Sequence, residues 1–215
     1  HIKNAIYFDI DKICDNKTHL PHMLPAANEF EKEINKLGIK NSDIIIIYCK
    51  EGILSSPRVW WMFYFYGHKR VYILDGGIKS WKMVGGTLTK NKTKLKNSYY
   101  KCNVNKNKLI TYTELVHNLD KNSSNLIVLD ARPKNRFLKI EDEPRQNIGK
   151  GNIPSSVNHP STLLDHKGFL RTKTELKKNL YNSIKKNKRV ICSCGSGVAA
   201  CNIALALNYI GNKNW

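Results

Sequence analysis

The residues best suited to chemistry in this chain lie in the run Arg189 to Ile210, RVICSCGSGVAACNIALALNYI. An apolar, strand-like run there ends in a cysteine, a turn with Gly195 and Gly197 follows, and a helical apolar pattern continues to Gly211. A strand that enters a helix through such a turn gathers backbone N–H groups and the positive end of the helix around one point. That point is the side chain of Cys194, and an N–H cradle stabilises the thiolate, the nucleophilic form of cysteine. A lone cysteine at a strand end is by default a buried, inert side chain. The two glycines favour the reactive reading, because a backbone without Cβ atoms can close around an anion.

The elements that must position this turn come in two similar sets. Pro25 opens a helix with Phe30, Ile34 and Leu37 on one face and Gly38 as its stop. Ile44 to Tyr48 is a continuous β-branched run of the kind buried on both faces of a sheet. Ser56 and Pro57 open a second helix that Gly67 ends, Val71 to Leu74 is a strand, and a short helix spans Ile78 to Val84. Ala5 to Phe8 reads as a further short strand near the start. In the second half, Thr111 with Glu114 and Thr172 with Glu175 have capping-box spacing, and Leu126 to Leu129 is a strand. The run IIIIYC ending at Cys49 parallels RVICSC ending at Cys194, and HIKNAIYF from His1 parallels NIPSSVNH from Asn152.

Strands alternating with helices in this way predict an α/β protein with two tandem domains, each a parallel sheet flanked by helices on both faces. The expected domains are residues 1–88 and 109–215, joined by a polar, lysine-rich linker over 89–108. Each half has an element its twin lacks, so the chain reads as truncated at both ends. A non-catalytic remnant is one reading of that truncation, since a domain short of a strand exposes apolar surface.

Composition narrows the rest. The 215 residues are 41% hydrophobic with a formal net charge of +19. The lysines are spread through nearly every polar stretch, which argues against a nucleic-acid stripe. No apolar run approaches membrane-spanning length, so neither nucleic acid nor membrane is an expected partner. The six cysteines form no CxxC pair and no Cys/His ligand spacing, which argues against a zinc site or a disulfide framework. Reduced thiols in the cytoplasm are the expectation.

Cys-Gly-Ser-Gly-Val at 194–198 resembles the active loop of the 3-mercaptopyruvate sulfurtransferases, members of the tandem-domain rhodanese superfamily. DIDKICDNKTHLPHMLP, SSPRVWWMF, LDGGIKSW and DARPKNRF…EPRQ…GNIPSSVN resemble family segments in family order across nearly the whole chain. The resemblance implies two rhodanese-like domains, the first catalytically silent. It implies sulfur transfer from 3-mercaptopyruvate through a Cys194 persulfide, with pyruvate released. The acceptor would be a thiol, such as that of a thioredoxin-like protein, or cyanide, and no cofactor or metal is implied. Arg136 and Arg145 would clamp the donor carboxylate, with Gly195, Gly197 and Val198 shaping the loop. Ser196, His22 and Asp11 would handle protons. Ala199 stands where the family commonly has Thr, which should weaken the thiolate site without abolishing it. Cys49, Cys192 and Cys201 read as structural. A thiosulfate sulfurtransferase is the rival reading, but its loop carries basic residues where Gly195 and Ser196 stand. A cysteine phosphatase or arsenate reductase would need an arginine near Ala200.

Overall fold

The computed structural model describes residues 1–119, 125–145, 149–184 and 188–215. They fall into two units, His1–Lys106 with Lys167–Phe169, and Asn107–His166 with Leu170–Trp215.

The first unit opens its helical part at α1 (Ala27–Lys36), which buries Phe30 and Ile34 one turn apart. Gly38, with φ 78°, ends it in the left-handed conformation that disfavours any other residue. Strand β1 (Ile45–Ile47) leads to α2 (Ser56–Phe65), then to β2 (Val71–Ile73) and α3 (Gly77–Met83). β1 and β2 pair in parallel, Ile45 opposite Val71 and Ile47 opposite Ile73. Helix α2 is apolar apart from Ser56 and Arg58, and Val59, Trp60, Trp61, Met62, Phe63 and Phe65 are buried, the mark of a central helix rather than a surface one. Its C-terminal neighbour Tyr66 stacks on Phe30 with ring centroids 4.0 Å apart.

Three expectations change here. Ala5 to Phe8 forms no strand: the Ala5 N–H bonds back to the Ile2 carbonyl at 3.0 Å, and the Ala5 carbonyl accepts from the Thr93 hydroxyl at 2.7 Å. The Ile44 to Tyr48 run is not buried on both faces, since the register partners Ile46 and Tyr72 are 61% and 55% exposed. The stretch expected as a linker is a packed strap up to Lys106, and the division between units falls inside 89–108. Ser98 and Asn103 donate backbone N–H bonds to Asn35 and Tyr66 (3.0 and 2.9 Å), Cys102 donates to Glu31 (2.8 Å), and Tyr100 is buried. A lysine-rich composition hides this because the anchoring is by backbone groups and a single aromatic ring.

After Lys106 come α4 (Tyr112–Leu119), β3 (Leu126–Asp130), α5 (Lys134–Phe137), β4 (Val157–Asn158), a short hairpin of β5 (Asp165–His166) and β6 (Phe169–Leu170), α6 (Lys173–Ile184), β7 (Arg189–Ser193) and α7 (Ala200–Tyr209), all in the second unit except Phe169. Both capping boxes form as spaced. The Glu114 N–H donates to the Thr111 hydroxyl while Glu114 accepts from the Thr111 N–H at 2.7 Å, and Thr172 with Glu175 repeats the exchange. The sheet order is β4–β3–β7, all parallel. Asp130 and Ser193 lie opposite each other at the carboxyl ends of β3 and β7, the end of a parallel sheet where ligands bind. Val128, Leu129, Val190, Ile203 and Leu207 are buried in its core. Among the described residues no helix is long and apolar enough to cross a membrane.

Candidate active site

Strand β7 delivers Cys194 at its carboxyl end. The Ala131 N–H holds the Ser193 carbonyl at 2.8 Å, so the last strand residue before the thiol is tied to the end of β3. Gly197 then adopts φ 74°, a conformation costly for any residue with a Cβ. That turn brings the Gly197 N–H to 3.1 Å from Cys194 Sγ. The Gly197 carbonyl in turn accepts from Cys201 Sγ at 3.1 Å, so Cys201, buried on α7, braces the loop. Ala199, at the cap position of α7, makes no side-chain capping bond. Burial pushes the Cys192 thiol well up, with Cys201 and Cys194 adding to it, which keeps that residue a neutral packing group.

The turn after Cys49 is built the other way. Cys49 Sγ donates to the carbonyls of Gly52 and Glu51 at 2.9 and 3.5 Å. It therefore meets acceptors where Cys194 meets a donor, the arrangement an anion needs.

A cleft of about 350 Å³, counting its open mouth, lies beside Cys194. The turn contributes Gly195, Ser196 and Ala199, and the segment after β3 contributes Arg132, Arg136, Glu143, Pro144 and Arg145. Cys194, Gly195, Ser196, Arg136 and Arg145 thus come together around one space. Gly197 and Val198 shape the turn from outside it, the Val198 carbonyl accepting the Cys201 N–H at 3.1 Å. Arg136 Nη1 lies 3.4 Å from Glu143 Oε2. Arg145 is exposed and makes no ion pair among the described residues.

Arg132 and Glu143 escape the sequence reading. Arg132 forks onto Asp130, with Nε at 3.0 and 3.1 Å and Nη2 at 2.6 Å, and its Nη1 reaches Glu143 Oε1 at 2.7 Å. The bonds to Asp130, then those to Glu143, drive its ionisation further above the ordinary arginine value. The signal in the sequence is Asp-Ala-Arg at a strand end, where alternate residues share a face, but nothing local points to Glu143.

His22 and Asp11 pair within the first unit, His22 Nε2 lying 2.7 Å from Asp11 Oδ1. His22 has φ 54°, and the Arg58 guanidinium donates to its carbonyl. Ser196, the third residue assigned to proton handling, belongs to the second unit.

Two α/β units, each with a cysteine just beyond the carboxyl end of a parallel strand, define an α/β repeat protein, and one of the two cysteines faces a cleft lined by arginines. The rhodanese-like domain family matches residues 1–84 and 111–214. Human 3-mercaptopyruvate sulfurtransferase is 35% identical over 219 residues, covering 100% of this chain and 73% of the relative. The Arabidopsis thaliana mitochondrial thiosulfate/3-mercaptopyruvate sulfurtransferase 1 is 35% identical over 235 residues, covering 100% of this chain and 62% of its own length. The crystal structure of the 3-mercaptopyruvate sulfotransferase SseA from Escherichia coli superposes with a TM-score of 0.89 at 31% identity, covering 100% of this chain and 80% of that one. The chain belongs to the rhodanese family, carries its domain twice, and is a sulfurtransferase.

Proposed function

We propose that this sulfurtransferase takes its sulfur from 3-mercaptopyruvate and carries it as a persulfide on Cys194. The Cys194 thiolate attacks the donor sulfur; an S–S bond forms and the C–S bond breaks. The electron pair stays on carbon as the enolate of pyruvate, which takes up the proton of the donor thiol. The outer sulfur then passes to an acceptor thiol, such as that of a thioredoxin-like protein, or to cyanide, and the thiolate returns. Splitting the transfer this way replaces one hard step with two easier ones. Neither step calls for a metal or organic cofactor.

One observation carries the reading: the Gly197 N–H points at Cys194 Sγ from 3.1 Å, in a cleft that Arg136 and Arg145 also line. Backbone donors stabilise thiolate and persulfide alike, and guanidinium groups suit a planar carboxylate. Ser196 and the His22–Asp11 pair are assigned the proton transfers. The free cysteines fit a reducing compartment, and we place the reaction in the cytoplasm.

The test is mass spectrometry of the chain after incubation with 3-mercaptopyruvate. A sulfur adduct with stoichiometric pyruvate, both lost in Cys194→Ser, is the expected result; an unmodified wild-type chain overturns the reading. Thiosulfate is the second donor to try, because the Arabidopsis relative carries both substrates in its name. The neutral Gly195–Ser196 pair in the cleft favours the singly charged donor, so turnover with thiosulfate is expected to be lower.

A further inference from the structure

We infer that Glu143 is a positioning residue that presents Arg136 to the sulfur donor and sets the charge of the cleft to suit a singly charged carboxylate; the inference rests on the sulfur-transfer reading above. Its two carboxylate oxygens are held very differently. Oε1 sits 2.7 Å from Arg132 Nη1, and Arg132 is itself locked by the fork onto Asp130 and a 2.6 Å bond to the Gly151 carbonyl. Asp130 ends β3 opposite Ser193, so this chain of bonds fixes Oε1 to the frame that carries Cys194. Arg132 has most of its donors committed and is poorly placed to take a ligand.

Oε2 is loosely held. Its contact with Arg136 Nη1 is 3.4 Å, longer than an ordinary charge-assisted bond. It also lies 3.4 Å from the point where a Cβ on Gly195 would sit, which places it alongside the reactive turn. The Glu143 side chain is only 3% exposed. Arg136 is thus aimed into the cleft by a contact weak enough for a donor carboxylate to replace with a forked pair. Around the cleft, Arg132, Arg136 and Arg145 exceed Asp130 and Glu143 by one positive charge, which the attacking Cys194 thiolate cancels. A neutral balance repels a monoanionic donor less than a dianion, and a dianion gains more than a monoanion from each added positive charge.

The experiment compares the full-length wild type, Glu143→Gln and Glu143→Asp with 3-mercaptopyruvate or thiosulfate as donor and cyanide as acceptor. In Glu143→Gln the KM for 3-mercaptopyruvate should rise about tenfold with kcat changed less than about twofold, the mark of a lost binding contact. The kcat/KM ratio of thiosulfate to 3-mercaptopyruvate should rise by about tenfold, as the cleft gains one positive charge. Discharge of a preloaded Cys194 persulfide to cyanide should keep the wild-type rate, since that step uses no carboxylate clamp. Glu143→Asp keeps the charge and withdraws Oε2, so KM should rise while donor preference holds.

An unchanged donor ratio and KM in Glu143→Gln would overturn the inference and leave sulfur transfer standing. Equal slowing of charging and discharge would overturn it too, because that is general damage to the site. If Glu143→Gln does not fold, Glu143→Asp decides: an unchanged KM sinks the idea. A wild-type chain that forms no adduct with either donor fails at the earlier reading and takes this one with it.

Discussion

Gly197 and Ala199 decide how the Cys194 thiol is held. The Gly197 N–H donates to Cys194 Sγ at 3.1 Å, and Ala199 adds no side-chain bond where α7 begins. In the proposed cycle the Cys194 thiol carries negative charge twice, so one more donor should help. Ala199→Thr is expected to speed persulfide formation by roughly 2–5-fold, the effect of a modest extra hydrogen bond. Single-turnover release of pyruvate measures it, and an unchanged rate would mean that the backbone alone saturates the anion. The glycines of this turn were legible because their freedom from a Cβ has a physical purpose next to a cysteine. Arg136 and Arg145 are assigned only through resemblance, and both line the cleft. Glu143 gives no signal of its own, because its partner Arg132 lies on the far side of the short helix α5, with no periodicity linking the two. The asymmetry between the two cysteines was legible as a difference in glycine content, but its basis is the direction of hydrogen bonding: carbonyls face Cys49 and an amide faces Cys194.

At the scale of elements, sequence pattern served best where local chemistry decides the outcome. Both capping boxes were readable because Thr and Glu satisfy each other's backbone N–H groups across one turn. The strand expected at Ala5 to Phe8 failed because a strand needs a partner for its backbone groups, and here those groups are taken by a turn and by Thr93. The strap over 89–106 reads as a linker because its composition is polar, while its anchors are backbone bonds and one buried ring. Tyr100 is 1% exposed, stacks on His68 with centroids 5.8 Å apart, and meets Phe30 and Phe63 edge-on. Tyr100→Ala should therefore cost about 3–5 kcal/mol, the range for truncating a buried aromatic residue. Urea denaturation measures that loss, and trypsin should cut the strap's lysines faster in the variant. A variant with wild-type stability would show that the backbone bonds alone hold the strap.

Across the whole molecule, the two units share a vulnerability to acid that neither the repeat nor the net charge reveals. His68 in the first unit and His159 in the second are both buried. Burial lowers the ionisation of each below the ordinary value of 6.5, outweighing the carbonyls of Asp43 and Asn179 that favour the charged ring. A histidine depressed in the folded state binds fewer protons there than in the unfolded chain. Its contribution to stability is complete above 6.5 and is lost as pH falls through that value towards the folded one. Thermal melts at about pH 7.5 and about pH 5.5 should show a lower Tm in acid. His68→Gln and His159→Gln should each flatten that dependence, each in its own unit if the units melt apart. Self-repulsion from the net charge of +19 also grows as carboxylates protonate, but salt screens exposed charges far better than buried ones. The histidine-dependent part should therefore survive in high salt, and a slope that vanishes there would assign the acid sensitivity to surface charge instead.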